Sequence, residues 1–467
     1  MERRAEEWNA NGRRVTPLLL SLIAGGGLND HWRDLGERAF VDTIGVLIAG
    51  ASDPAVAAVS ATVDETAGPV RAVATGASMS ARSAALLDGT AAHALDYDDV
   101  DDALIAHPSA VLVPALLAAG QLHDSTGEEL LEAYRVGIEA GRSVAAALGI
   151  TGHYELGWHS TGTIGTISAA CALARLAHLG PDQAGHALGV AGSLAAGSRQ
   201  NFGTMTKPLH AGAAAANGLL AVRLAAAGLT SDPGQLDGPL GFLALHSPAH
   251  PDIGPGLLDA AVPGAGPDGL NVKLYPCCYY VHAAAEAAIE LGRKLSDPAA
   301  VAGVEVVVQP GGLAPLIHHR PVDGTQAKFS MEYVVAACLL DHELTLGSFQ
   351  TSRVQRPDAQ ELLRLVEPTT ANEAGSEPGD AYAEVTVRTR DGRRVQSRIG
   401  RPAGHASRPL TESQLRDKFD DCARGLGRPR ADKAYEALRS LRRQPSTAMV
   451  VDAVVPRRVR DEDRGPV

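Results

Sequence analysis

Aromatic residues are scarce in this 467-residue chain: three Trp, nine Tyr and six Phe, 4% in all. So few large rings suit closely packed helices better than an aromatic-rich β-sandwich. Cysteine is equally sparse. Cys171, Cys277, Cys278, Cys338 and Cys422 are too few and too scattered for a disulfide framework, and no Cys-x-x-Cys pair suggests structural zinc. A basic face is missing too, since the formal net charge is −12 and no long Lys/Arg block precedes the C-terminus. Sequence-unspecific binding to nucleic acid needs such a face and is excluded as an expectation. The apolar run Leu18–Ile23 is far too short to span a bilayer. Acidic residues within the first seven positions argue against a signal or transit peptide. A soluble cytoplasmic protein with no nucleic-acid or membrane partner is expected.

What the chain does have is Gly, at 50 residues, and a hydrophobic content of 45%. Its length points to more than one domain. From Val15 to about Asp259, apolar residues recur at helical spacing in Arg38–Ala49, Ala81–Leu95, Ala110–Leu122, Gly127–Leu148, Gly165–Ala177, Pro181–Ala196 and Ala211–Ala227. Thr126 and Glu129 have capping-box spacing, and Pro181-Asp182 opens another helix. After about Pro267 the pattern changes. Val304–Val308, Ala383–Arg388 and Val395–Ile399 read as strands, the last two joined through Asp391-Gly392, a hairpin signal. Helices at Ala283–Leu295 and Met331–Leu340 are interleaved. The expected organisation is a mainly α protein: a helical domain over 1–267, a smaller α+β domain over 268–402, helices Glu412–Leu426 and Ala431–Arg442 returning over 403–455, and a disordered tail over 456–467.

Four stretches carry candidate chemistry. Between His93 and His107 lie Asp96, Asp98, Asp99, Asp101 and Asp102. Like charges this dense cap helices, face water, bind a cation or do acid–base work. Asp98-Asp99-Val100-Asp101-Asp102 also fits DDxxD, the helix-borne pattern that binds magnesium-diphosphate in all-α isoprenoid synthases, but no second such motif follows. In Gly157–Thr166, His159 stands before a Ser/Thr/Gly run that opens a helix, where backbone N–H groups and hydroxyls can hold a carboxylate, unless the stretch is only a capped loop. In Arg199–Gly212, Lys207 ahead of Pro208 is expected to project from a loop, either into a cleft to bind a carboxylate or into solvent. Lys273–His282 marks the change from the helical to the α+β pattern, and its vicinal Cys277-Cys278 read as small buried hydrophobes.

In order, Val41–Gly45, Ala91–Asp99, His107-Pro108-Ser109, the stretches 157–166, 203–212 and 273–278, Ala327–Ser330 with Tyr333–Ala336, and Pro409–Thr411 with Lys418-Phe419 resemble the MmgE/PrpD family over nearly the whole chain. That family includes 2-methylcitrate dehydratases, cis-aconitate decarboxylases and iminodisuccinate epimerases. The resemblance implies a large helical domain with an inserted α+β lid, a homodimer, and chemistry with no metal or organic cofactor. It implies a lyase acting on a small polycarboxylate, first as a 2-methylcitrate dehydratase, with epimerisation, isomerisation or decarboxylation by the same side chains as alternatives. Asp96, His107, His159, Lys207 and Tyr333 are the implied catalytic residues. Lys273, Arg199, Thr161, Thr163 and His210 are the implied substrate-binding ones. In this reading His159 and His107 serve as base and acid, Lys207 and Lys273 clamp carboxylates, Asp96 orients a histidine, and Tyr333 donates a hydrogen bond from the lid. The remaining aspartates are expected to be caps and solvated charge. The chain departs from the family pattern at Val100-Asp101, where many members carry Thr-His, and at Cys277-Cys278, where decarboxylases carry a histidine.

Overall fold

The computed structural model describes residues 14–63, 68–247, 269–295, 297–371 and 382–455. The chain divides into two compact units, one of 1–270 with 415–467 and one of 271–414.

The first unit is helical: α1 (Thr16–Ala24), α2 (Asp30–Gly50), α3 (Pro54–Ser60), α4 (Ala81–Ala94), α5 (Pro108–His123), α6 (Gly127–Leu148), α7 (Ile150–Glu155), α8 (Ser160–Leu176), α9 (Pro181–Leu194), α10 (Thr206–Ala226) and α11 (Phe242–His246), with a two-residue ribbon pairing β1 (Val70–Arg71) and β2 (Ser78–Met79). Local chemistry sets the helix ends. The Thr126 hydroxyl accepts from the Glu129 N–H at 3.3 Å while Glu129 accepts from the Thr126 N–H at 2.8 Å, and Gly149 at φ 68° closes α6. Small residues then let helices touch backbone to backbone. A Cβ at Gly89 of α4 would lie 2.7 Å from the Gly212 Cα of α10, and one at Gly212 would lie 2.2 Å from the Leu86 carbonyl oxygen. Among the described residues α10 alone is long and apolar enough by itself to cross a membrane, but it packs against α4, α5, α8 and α9 as a core helix.

Two helices start earlier than their apolar periodicity suggests. α8 begins at Ser160 rather than Gly165, because His159 takes the N-cap position. α10 begins at Thr206, so Lys207 is helical and not a loop residue. Pro208 is no obstacle there, since the N–H that proline lacks has no intrahelical partner in a first turn.

The second unit holds a four-stranded sheet in the order β4-β3-β5-β6, from β3 (Val301–Val308), β4 (Val366–Thr370), β5 (Ala383–Thr389) and β6 (Arg394–Ile399). β3 pairs parallel with β4 and antiparallel with β5, and the β5–β6 hairpin turns at Gly392, φ 84°. The strand β4 follows no clear alternation and is not apparent from the residues. Val304, Val306 and Val308 are buried in one apolar cluster with residues of α12 (His282–Gly292) and α13 (Met331–Asp341).

From Leu415 the chain belongs to the first unit again, later than the change of pattern at 403. There α14 (Glu412–Cys422) lays Phe419 against α2, with a Cβ at Gly45 only 3.1 Å from the ring. α15 (Arg428–Arg439) and α16 (Thr447–Val454) follow, and Arg442 closes on the buried Glu37 of α2 at 2.8 Å. The tail expected over 456–467 lies outside the described residues.

Candidate active site

The close crossing of α4 and α10 brings the C-terminal end of one beside the N-terminal end of the other. α4 stops at Ala94, and Asp96 then adopts φ 54°, a left-handed conformation that aspartate tolerates better than most residues. The chain from there to His107 is loop, not helix, so the DDxxD reading fails on geometry: Asp98 and Asp99 face different partners and Asp102 is exposed.

The run is not solvated charge either. Asp96, Asp98, Asp99 and Asp101 are all buried, which corrects the expectation of caps and solvent-facing carboxylates. Each is matched by a group from another element, as a buried charge must be. The Lys207 Nζ donates to Asp96 Oδ1 at 2.6 Å. Asp98 Oδ2 lies 2.8 Å from His93 Nδ1 and 3.3 Å from His107 Nδ1. Asp99 accepts the Ser109 hydroxyl, which also meets the Tyr134 hydroxyl at 2.6 Å. Arg142 of α6 donates to Asp101 at 2.8 Å. Asp98, which was not expected to orient a histidine, faces the two rings, and Asp96 takes Lys207.

Four imidazoles gather here. The His93 and His107 ring centroids are 4.4 Å apart, those of His93 and His159 are 5.9 Å apart, and His159 Nδ1 meets His210 Nδ1 at 2.9 Å. Burial lowers His93 to about 4 against the pull of the Asp98 charge. Burial, reinforced by His93, Lys207, His107 and His210, holds His159 well below the ordinary imidazole value. Burial and the Lys207 charge also lower His210. Burial works to raise Asp98, but the facing His93 and His107 outweigh it and hold that carboxyl well below the usual range. Asp99, by contrast, is pushed up by burial to about 8, despite the Ser109 hydrogen bonds. At neutral pH the site thus presents an ionised Asp98, a neutral His93 and a neutral His159.

The backbone adds to this. α5 begins after His107, α8 after His159, and α10 at Thr206 next to Lys207, so three helix N-termini meet at the cluster. Each carries partial positive charge and suits a bound anion. The strip 157–159 pairs with 197–199, through His159 N to Gly197 O at 3.0 Å and Arg199 N to Gly157 O at 2.8 Å, which seats His159 beside Phe202.

The other expected residues fall in three places. Thr161 accepts the His107 N–H at 3.1 Å and so belongs to the cluster. Thr163 meets His153 Nε2 at 2.9 Å, and the Arg199 guanidinium lies 3.6 Å over the Tyr154 ring and donates to the Tyr154 carbonyl. Lys273 and Tyr333 belong to the second unit, where both are buried and the Tyr333 hydroxyl donates to the Ser348 carbonyl. Cys277 and Cys278 are buried, as expected of small hydrophobes.

His93 and Asp98 were not singled out from the residues. The signal was present in the spacing His93-Ala-Leu-Asp-Tyr-Asp98, which allows a helix-end histidine to meet a carboxylate across one turn of loop. Among the described residues, His93, Asp96, Asp98 and His107 are the group whose ligand atoms, within 4.8 Å of one another, could hold a cation. Their negative charge already faces two imidazoles and an ammonium, the arrangement an acid–base site also needs.

The sequence matches the MmgE/PrpD N-terminal domain over residues 27–252 and the MmgE/PrpD C-terminal domain over 275–442. It is 29% identical to the cis-aconitate decarboxylase of Mus musculus over 345 residues, 72% of this chain and 70% of that one. Against the cis-aconitate decarboxylase of Homo sapiens it is 29% identical over 344 residues, 72% and 71% of the two chains. Against that of Aspergillus terreus it is 27% identical over 378 residues, 76% and 77%.

Proposed function

The chain belongs to the MmgE/PrpD family, and we propose that it is a lyase that dehydrates a small hydroxy-polycarboxylate of the 2-methylcitrate kind. The observation that carries this reading is a neutral, buried His159 beside the Lys207 ammonium, where three helix N-termini meet. A proton on carbon beside a carboxylate is weakly acidic, so its removal needs a base in its neutral form and positive charge for the enediolate that develops. Lys207, held by Asp96, and the helix starts supply the charge. His159 takes the proton, and the C–H electron pair becomes the new carbon–carbon double bond as the C–O bond breaks. His107, steered by the Asp98 carboxylate and the Asp99 carbonyl, gives its proton to the leaving hydroxide, which departs as water. Lys273 and Tyr333 belong to the second unit; Lys273 is the expected carboxylate clamp, while the one proton of the Tyr333 hydroxyl already goes to the Ser348 carbonyl, so Tyr333 is given no donor role.

A second reading, decarboxylation of cis-aconitate, is favoured by the names of the relatives. Two departures weaken that second reading: Cys277-Cys278, where decarboxylases carry a histidine, and Val100-Asp101, where many family members carry Thr-His. Incubation with 2-methylcitrate, citrate, cis-aconitate and iminodisuccinate separates these outcomes. Growth of near-ultraviolet alkene absorbance from a hydroxy-acid supports dehydration, and release of carbon dioxide from cis-aconitate supports the second reading. Turnover of iminodisuccinate alone would overturn both.

A further inference from the structure

Lys418 lies in α14, far from the cluster in sequence, and is 4% exposed. Its ammonium makes three contacts with two elements. It sits 2.5 Å from Asp42 Oδ1 on α2, donates to the Tyr97 carbonyl at 2.8 Å, and lies 4.0 Å over the Tyr97 ring. Tyr97 is the residue between Asp96, which holds Lys207, and Asp98, which faces His93 and His107. A buried ammonium needs a counter-charge, and Asp42 provides one on a helix that α14 approaches closely through Gly45 and Phe419. That close approach leaves Lys418 little freedom, and its remaining hydrogen-bonding capacity goes to the peptide and ring of Tyr97.

We propose that Lys418 is a positioning residue for the acid–base loop: with Asp42 behind it, it pins the Tyr97 peptide and thereby sets the directions in which Asp96 and Asp98 point. The returning C-terminal segment is then part of the working site and not only of the fold. Asp96, at φ 54°, is the place where this matters most. A left-handed aspartate has other backbone states open to it, and the pin on the next residue selects one. The role rests on the acid–base reading of the cluster, but the anchoring of the loop can be measured without a substrate.

Replacing Lys418 alone would leave Asp42 buried without its counter-charge and invite unfolding, so the test uses the full-length double variant Asp42→Asn/Lys418→Met, which removes both charges. Amide hydrogen exchange is followed across 95–107, α5 and α8, beside thermal melting and steady-state kinetics. The expected result is a folded protein in which exchange over 95–107 quickens at least tenfold while α5 and α8 keep their protection. With the turned-over substrate, kcat falls at least tenfold and KM changes less than threefold. Unchanged exchange over 95–107 overturns the proposal whatever the activity. A loosened loop with unchanged kcat overturns it as well, and so does a kcat loss accounted for by the unfolded fraction. Failure of the lyase reading looks different: the wild type then turns over none of the four acids, while the exchange difference between wild type and variant stands.

Discussion

Two histidine clusters lie side by side along the chain in the first unit, and their partners differ in kind. In one, His153 Nδ1 meets the His246 carbonyl at 2.8 Å and Nε2 meets Thr163 Oγ1 at 2.9 Å, while His246 Nδ1 bonds the Phe242 carbonyl at 2.9 Å. Trp158 and Phe242 cover the rings. In the other, starting one residue further at His159, the rings face Asp98, the Lys207 charge and one another. Burial lowers His153 to about 4, much as it lowers His93. A depressed histidine therefore does not mark a site by itself. Partners do: a carbonyl and a hydroxyl occupy the two nitrogens of His153, whereas His93 Nε2 is buried with no hydrogen-bond partner among the described residues.

If that contrast is right, substitutions in the two clusters separate activity from stability. The largest effect is expected at His159→Gln and at the double variant Asp96→Asn/Lys207→Met, which removes both charges, each lowering kcat/KM by about 10²–10⁴-fold with intact circular dichroism. Near-normal rates for either would erase the distinction. Asp98→Asn comes next, with a fall in kcat of about tenfold or more, because the amide no longer holds His93 and His107 as hydrogen-bond donors. His153→Leu should do the opposite. It leaves the His246 carbonyl and the Thr163 hydroxyl short of a partner and costs about 1–3 kcal/mol in denaturant unfolding, while kcat stays within about threefold. The smallest effect is a pH dependence. Asp99 is raised to about 8 when folded, so the native state holds a proton that the unfolded state releases above its ordinary carboxyl value of about 4. Wild type therefore loses stability as pH rises from about 4 through 8, with the opposite sign to a salt-bridged carboxylate. Asp99→Asn is neutral in both states, so its melting temperature relative to wild type should climb between pH 5 and 9.

Much of this was legible in the residues. The ends of α6 follow from Thr126, Glu129 and Gly149, whose preferences are local. The motifs that resemble the MmgE/PrpD family pointed to Asp96, His107, His159 and Lys207, which the structure brings together with Thr161 and His210. What was not legible depends on partners distant in sequence. Asp98, Asp99 and Asp101 look like solvated charge because the groups that hydrogen-bond them come from α4, α5 and α6. The loop reading of Lys207 failed because Pro208 permits a helix start as readily as it forbids a continuation. Lys418 carried no local sign of its role, since Asp42 and Tyr97 stand hundreds of residues away.

On the proposed function, neutral His159, beside Lys207, moves a proton at a carbon next to a carboxylate. Turnover in heavy water of whichever acid the wild type accepts, followed by mass spectrometry and NMR, tests it most directly. Wild type is expected to exchange or remove that carbon-bound hydrogen, and His159→Gln, though folded, to do so at least a hundredfold more slowly. Wild-type rates of carbon–hydrogen exchange in His159→Gln would contradict it.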